Sequence, residues 1–370
     1  MPSHCHRGGP AGNGLCCIAP PYLLEQLAES GDENQQKAAE RALASLSVVR
    51  ARRAVTAQLI ADPKVDVKAL GLVAQGTGSA IKVYDAHGLP FNSFELPGNL
   101  LLSTDNPPPG PDTQANQAFD GARATLEFYS EILNRDGIDG KGMDVISSVH
   151  VSDQQGNPWE NAAWISTQMV YGEGGHIFKS GSLTSALDVI GHELTHGVTQ
   201  FTAALEYRSQ SGALNESMSD VVGSMIKQFV GKETAATADW LIGEGLLLKP
   251  GSKALRSMLE PGTAYDGDPQ PGKMNDYHEL PETEAGDNGG VHINSGIPNR
   301  AFALAAIKLG GNSWDEAGRI WYKTLTEKLR PDAQFADAAK ATLEVAEELF
   351  PGGRASAAVE EAWKEVEVLP

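Results

Sequence analysis

Two histidines four residues apart, with a glutamate directly after the first, carry the most telling chemistry in this chain: Gly191-His192-Glu193-Leu194-Thr195-His196. On a helix, residues four apart stand about 40° apart around the axis, so His192 and His196 can aim two imidazole nitrogens at one ion. Glu216 follows twenty positions after His196. Two neutral histidines and one carboxylate make a three-ligand zinc shell whose open fourth position is what catalysis needs. Glu193 points beside such an ion, within reach of a water in the open position, where it can act as general base. The bland alternative is a stacked histidine pair on a buried helix face. A second segment argues against it. Glu216 and Asp220 are again four apart, in a stretch of helical periodicity formed by Leu214, Met218, Val221, Val222 and Met225. One carboxylate can bind metal while the other orients a ligand histidine from behind.

These side chains need elements to hold them. Apolar periodicity predicts helices over 183–202 and 214–230, then over 298–309, 313–328, 335–349 and 356–366. A long loop over 260–290, rich in Gly, Pro, Asp and Asn, interrupts them, and loops of that length inside a compact lobe are usually functional. Upstream, alternation such as Ala80-Ile81-Lys82-Val83-Tyr84-Asp85 predicts strands and hairpins over 64–103. A helix over 115–135, a strand over 145–151 and another over 164–171 are expected to follow, the last closing at the glycine-rich turn 172–175. Residues 1–13 have a disordered composition. Pro20-Pro21-Tyr22-Leu23-Leu24 leads into a helix, a turn at Gly31-Asp32, and a second helix over about 34–53. Arg50, Arg52 and Arg53 at its end read as a solvated helix terminus rather than a partner surface.

Composition bounds the function. With 370 residues, 41% of them hydrophobic, the chain can bury two lobes plus an extension. A net charge of −19 argues against nucleic acid or an anionic membrane as partner. Cys5, Cys16 and Cys17 are the three cysteines, so no disulfide framework holds the rest together. No apolar run reaches the length of a membrane span, and the hydrophobic stretch 15–24 is broken by Pro20 and Pro21, a poor core for a signal peptide. Signal-dependent secretion is therefore not supported from the residues, which leaves non-classical export or the cytoplasm.

Several segments together resemble the thermolysin family of neutral zinc metalloproteases: Ser147-Ser148-Val149-His150, Asn161-Ala162-Ala163-Trp164, Met169-Val170-Tyr171-Gly172, the stretch from Asp188 to His196, that from Gly212 to Asp220, Leu255-Arg256-Ser257-Met258, and that from Asp287 to Gly296. The resemblance runs from about Val83 to the C-terminus. The spacing from His196 to Glu216 also looks like this family rather than the related zinc aminopeptidases. Pro20-Pro21-Tyr22-Leu23-Leu24-Glu25 resembles the short propeptide of the protealysin-like branch. The implied fold is α+β and two-lobed, with a β-rich N-terminal lobe, a mainly helical C-terminal lobe and the zinc helix between them. The implied division is a helical inhibitory propeptide over 1–70, a first catalytic lobe over 71–200 and a second over 201–370.

The resemblance implies a secreted zinc endopeptidase, made as a zymogen, that cuts internal peptide bonds before bulky hydrophobic residues. By matched position, His192, His196 and Glu216 would bind zinc, Glu193 would move the proton, and Tyr207 and His292 would donate to the oxyanion. Asp220 would fix His192, and Asp287 would hold His292 in its useful tautomer. Asn161 and the Ala162 backbone would bind extended substrate, and Arg256 a substrate carbonyl. Val189, Leu183 and Leu255 are candidates for the apolar pocket. Expected partners are peptide or protein substrates and the chain's own propeptide, with no nucleic acid and a monomeric state. A non-catalytic zinc-binding interaction protein would need a fourth protein ligand, and an exopeptidase a group recognising a free terminus; the sequence supplies neither obviously.

Two departures stand out. Thermolysin's paired calcium site would need a carboxylate where this chain has Lys227, and Ala235, Thr237 and Trp240 offer none nearby, so that double site is expected to be absent while calcium elsewhere stays undetermined. A thiolate of Cys16 or Cys17 could hold the open zinc position in the latent chain, but steric blockade by the proline-marked segment is the favoured reading.

Overall fold

The computed structural model describes residues 17–61 and 79–370, the side chains of residue 47 and of residues 49–61 excepted. The expected disorder of 1–13, Cys5, Cys16, the side chains of the basic helix end and residues 64–78 of the expected strands lie outside the described residues. Two helices come first, α1 (Pro21–Ser30) and α2 (Glu33–Ala61), the latter longer than its pattern predicts. Pro21 opens α1 at a position where a helix has no use for the missing amide hydrogen. Leu23, Leu24 and Leu27 of α1, with Ala38, Ala39, Ala42 and Leu46 of α2, are buried in the same apolar cluster as the rest of the chain.

A five-stranded mixed sheet follows, built from β1 (Ile81–Asp85), β2 (Asn99–Ser103), β3 (Val145–Val151), β4 (Ala162–Trp164) and β5 (Met169–Gly172) in the order β2-β1-β3-β5-β4. β1 runs parallel to β3 and β3 to β5, whereas β2 and β4 add antiparallel edges. The expected single strand over 164–171 is therefore two strands. Ile165 N–H donates to the Gln168 carbonyl at 2.9 Å and Ser166 takes a positive φ of 75°, so the chain turns back on itself. As a result β4 becomes an edge, with one row of backbone groups that β5 does not pair.

Helix α3 (Thr113–Glu131) begins on Asp112, whose carboxylate accepts the Ala115 amide at 2.8 Å, a cap worth about 1 kcal/mol. It packs against α4 (Leu187–Gln200), which carries the histidine motif, and α4 packs on α5 (Ser209–Gly231), which carries Glu216. The helix expected from position 183 starts four residues later, because Ser185 bonds back to the Ser182 carbonyl through both its amide and its hydroxyl, at 3.0 and 2.8 Å. Glycines set the close approach of α4 and α5. A Cβ on Gly223 would lie 2.3 Å from the Asp188 carbonyl oxygen, and one on Gly191 would lie 2.8 Å from the Ile226 side chain. These two positions let α4 and α5 meet backbone to backbone.

The helical part continues through the short pair β6 (Leu241–Ile242) and β7 (Arg256–Ser257), then α6 (Asp287–Asn294), α7 (Gly296–Leu309), α8 (Glu316–Lys323), α9 (Phe335–Leu349) and α10 (Arg354–Glu365). The helix expected over 313–328 divides, α8 passing into a π-helical turn at Thr324–Lys328. Asp287, Asn288, Gly289 and Gly290 all take positive φ, between 51° and 85°. Asp, Asn and Gly are the residues that tolerate that region, and the run turns the end of the long loop into the helix that bears His292.

Candidate active site

The two imidazoles of α4 stand edge to face, with ring centroids 4.6 Å apart and their Nε2 atoms separated by 3.0 Å. Each Nδ1 is already engaged. His192 Nδ1 lies 2.7 Å from Asp220, and His196 Nδ1 lies 2.8 Å from the Asn215 carboxamide oxygen and 3.0 Å from Ser219 Oγ. With the ring hydrogens directed at these acceptors, both Nε2 atoms present lone pairs to one another. Glu216 adds its carboxylate, 3.6 Å from His192 Nε2 and 3.9 Å from His196 Nε2. Three buried groups with mutually repelling electron pairs call for a cation between them. Tetrahedral zinc with bonds of about 2.1 Å would put its ligand atoms roughly 3.4 Å apart, so the separations fit. Among the described residues this is the one cluster of His, Cys, Asp and Glu with that geometry.

The remaining residues converge on the same place. Glu193 is fully buried, and its Oε2 accepts the Trp164 amide at 2.9 Å, which anchors the carboxylate beside the metal ligands and joins α4 to β4. The Tyr207 hydroxyl donates to Glu216 and lies 3.1 Å from His292 Nε2. Asp287 grips His292 twice, accepting the ring Nδ1–H at 2.6 Å and the backbone amide at 2.8 Å. Burial pushes the His292 pKa down, but Asp287 and Glu216 outweigh it and the net direction is upward. The imidazolium, a donor through both nitrogens, is thereby favoured.

Behind His192, Asp220 is fully buried yet held well below the usual carboxylate range: burial pushes it up, and Arg256 and His192 pull it further down. Arg256 grips both oxygens of Asp220, Nε at 2.8 Å and Nη2 at 2.7 Å, while its buried Nη1 has no partner among the described residues. Asn299 of α7 adds a further donor to Asp220 at 2.8 Å. Reasoning from the sequence missed Asn215, Ser219, Asn299 and the Trp164 amide as members of the site. Asn215 and Ser219 share a helix with Glu216, and that was the available signal; Asn299 had none.

The residues expected to bind substrate, Asn161 and Ala162, are hydrogen-bonded by the chain itself. Ile18 N–H donates to the Ala162 carbonyl at 3.3 Å, and Ala19 N–H donates to Asn161 Oδ1 at 3.1 Å. Val189, Leu183 and Leu255 are fully buried, and so is Cys17. Lys227 places its ammonium 2.8 Å from Asp239 and 3.9 Å from both Asp188 and Glu244. Asp239 supplies a carboxylate there that the sequence reading did not credit. His150 is held between two carboxylates, 2.7 Å from Asp112 on one side and against Glu173 on the other.

Comparison with known proteins agrees with this geometry. The family model described as thermolysin metallopeptidase, catalytic domain, matches residues 68–200, and that described as its alpha-helical domain matches residues 203–368. An extracellular metalloprotease of Pectobacterium carotovorum subsp. carotovorum is 40% identical over 362 residues, covering 96% of each chain. A bacillolysin of Bacillus amyloliquefaciens is 41% identical over 298 residues, 80% of this chain and 51% of that protein. The solved precursor of protealysin, a metalloproteinase from Serratia proteamaculans, superposes with a TM-score of 0.80 at 41% identity, covering 96% of this chain and all of that one. The chain therefore belongs to the thermolysin family, in its protealysin-like branch, and is a zinc metalloendopeptidase.

Proposed function

We propose that His192, His196 and Glu216 hold one catalytic zinc ion and that Glu193 is the proton carrier of peptide hydrolysis. The observation that carries this reading is the pair of Nε2 lone pairs 3.0 Å apart beside Glu216, with the anchored carboxylate of Glu193 next to them. Bound there, zinc would polarise the scissile carbonyl and acidify a water in its open position. Glu193 accepts the proton of the attacking water and passes it to the leaving amine. Tyr207 and His292 donate to the oxyanion that develops on the substrate carbonyl, where preorganised donors contribute most. Asp287 keeps His292 aimed and charged, and Asp220 does the equivalent for His192.

Peptide substrate adds to the β4 edge through Asn161 and Ala162, and the partnerless Nη1 of Arg256 takes a substrate carbonyl. Val189, Leu183 and Leu255 favour a bulky apolar residue after the cleaved bond. Residues 1–70 act as an inhibitory prosegment, with lobes over 71–200 and 201–370. The hydrogen bonds donated by the Ile18 and Ala19 amides to Ala162 and Asn161 support this, as does the similarity to a protealysin precursor. Steric occupation of the edge is the favoured source of latency, with a Cys16 or Cys17 thiolate on the metal as the alternative. Lys227, with its ammonium among three carboxylates, disfavours a double calcium site beside α4. Secretion is the setting that extracellular relatives suggest, and the unit acts as a monomer.

The test pairs the full chain with its processed form on an internally quenched peptide, alongside Glu193→Gln and a zinc chelator. Hydrolysis should require processing, zinc and Glu193. Activity that survives Glu193→Gln would sink the mechanism.

A further inference from the structure

Asp220 sits at a junction of three elements. Its Oδ1 accepts His192 Nδ1 of α4 at 2.7 Å and Arg256 Nη2 of β7 at 2.7 Å. Its Oδ2 accepts Arg256 Nε at 2.8 Å and Asn299 Nδ2 of α7 at 2.8 Å. A carboxylate has about four lone-pair sites, and here all four are filled, so the group can neither rotate nor swing away from the imidazole. Asn299 is fully buried, and its own carboxamide oxygen has no partner among the described residues. A buried amide satisfied on one half alone needs a reason. Turning the amide over would press its oxygen against the Asp220 carboxylate, so the donor half is fixed toward Asp220 at the expense of the other half.

We propose that Asn299 is a positioning residue for the metal centre: its carboxamide locks the Asp220 carboxylate in the plane that aims His192 Nε2 at the zinc. Asn299 lies on the helix that follows α6, seven residues after His292. One stretch of chain thus presents His292 to the reacting side of the centre and braces His192 from behind. Arg256 shares the brace and has its third nitrogen to spare for substrate, so substrate binding and ligand aim converge on the same carboxylate. The proposal rests on the assignment of His192, His196 and Glu216 as the zinc ligands.

The test follows zinc itself in the full chain. One zinc bound per unaltered chain, and its loss in His192→Ala, secures the ligand assignment independently of Asn299. Release of zinc to a chromogenic chelator is then timed for Asn299→Ala and for Asn299→Asp, which keeps the volume but replaces the donor with an acceptor. Both should release zinc at least about tenfold faster, the aspartate faster than the alanine. After processing, kcat should fall while KM stays within about twofold. In an Asp220→Asn background the same changes at Asn299 should add little, because the carboxylate they brace is gone. A merely structural asparagine would instead lower stability with and without zinc alike, and its effect would add to that of Asp220→Asn. Zinc release within about twofold of the unaltered chain in both variants, or full additivity, overturns the proposal. If the alanine variant fails to fold, the near-isosteric aspartate decides by the same assay.

Discussion

At the metal centre both imidazoles have their tautomers set by neighbours: Asp220 on His192, Asn215 with Ser219 on His196. Glu193, as the proposed proton carrier, differs from these groups in that it would change protonation state during turnover. Glu193→Gln keeps the shape and the acceptor for the Trp164 amide but cannot take a proton; kcat should fall by about 10²–10⁴-fold with zinc content unchanged, read by steady-state kinetics and metal analysis. Asp220→Ala should fail differently. It strips His192 of its brace and leaves the buried Arg256 guanidinium uncompensated, so zinc affinity should drop about 10–100-fold and the folded state should lose about 3–5 kcal/mol. Chelator competition and denaturant melts separate the two effects, and an unchanged midpoint would refute the second. The convergence of His192 and His196 was legible in the sequence because four-residue spacing on a helix is local geometry. Asn299 was not, since it lies 79 positions from Asp220 and only the packing of α7 brings it there.

Among the elements, the α4–α5 crossing converts helix geometry into a metal site. Gly223→Ala puts a methyl 2.3 Å from the Asp188 carbonyl oxygen, where backbone rather than a yielding side chain must move. Destabilisation of about 1–3 kcal/mol is expected, together with weaker zinc binding, because Glu216 shifts with α5. A variant as stable as the parent that binds zinc equally well would show that the crossing tolerates more space than its contacts imply. A second junction ties β3, the start of α3 and the end of β5 through His150, flanked by Asp112 and Glu173. Burial lowers its pKa, but the two carboxylates raise it more, so the folded value lies above the ordinary one. The protonated ring therefore stabilises the fold in full below the unfolded pKa, roughly 6.5, and this contribution is lost as pH rises through the folded value. The Tm gap between the parent and His150→Gln should be widest between about pH 5 and 6.5 and close on the alkaline side. A gap that widens with pH would reverse the sign of this argument. Strand β3 was legible from its own alternation. The β4–β5 hairpin was not, because Ser166 in a left-handed turn breaks what otherwise reads as one apolar run.

Across the whole molecule, the proposed function gives one edge two occupants. Ile18 and Ala19 bond to Ala162 and Asn161 in the latent chain, and an extended substrate would need the same acceptors. Lys249 reaches Gln26 of α1 at 2.9 Å, a further contact that any substrate would have to do without. The two-lobed plan and the prosegment were visible as motifs, whereas their shared use of one strand edge required the fold, because β4 is an edge only after the chain turns at Ser166. Sharing has a consequence: a change in the edge acceptor must weaken prosegment and substrate together. Loss of one hydrogen-bonding side chain costs about 1 kcal/mol net, a factor of about five in an equilibrium constant. Asn161→Ala should therefore mature faster than the parent and, once processed, show a KM raised several-fold with kcat little changed. Maturation is followed on gels and the constants with a quenched peptide. Raised KM with an unchanged rate of maturation would mean that the prosegment is held elsewhere, and the edge bonds of Ile18 and Ala19 would then be incidental to latency.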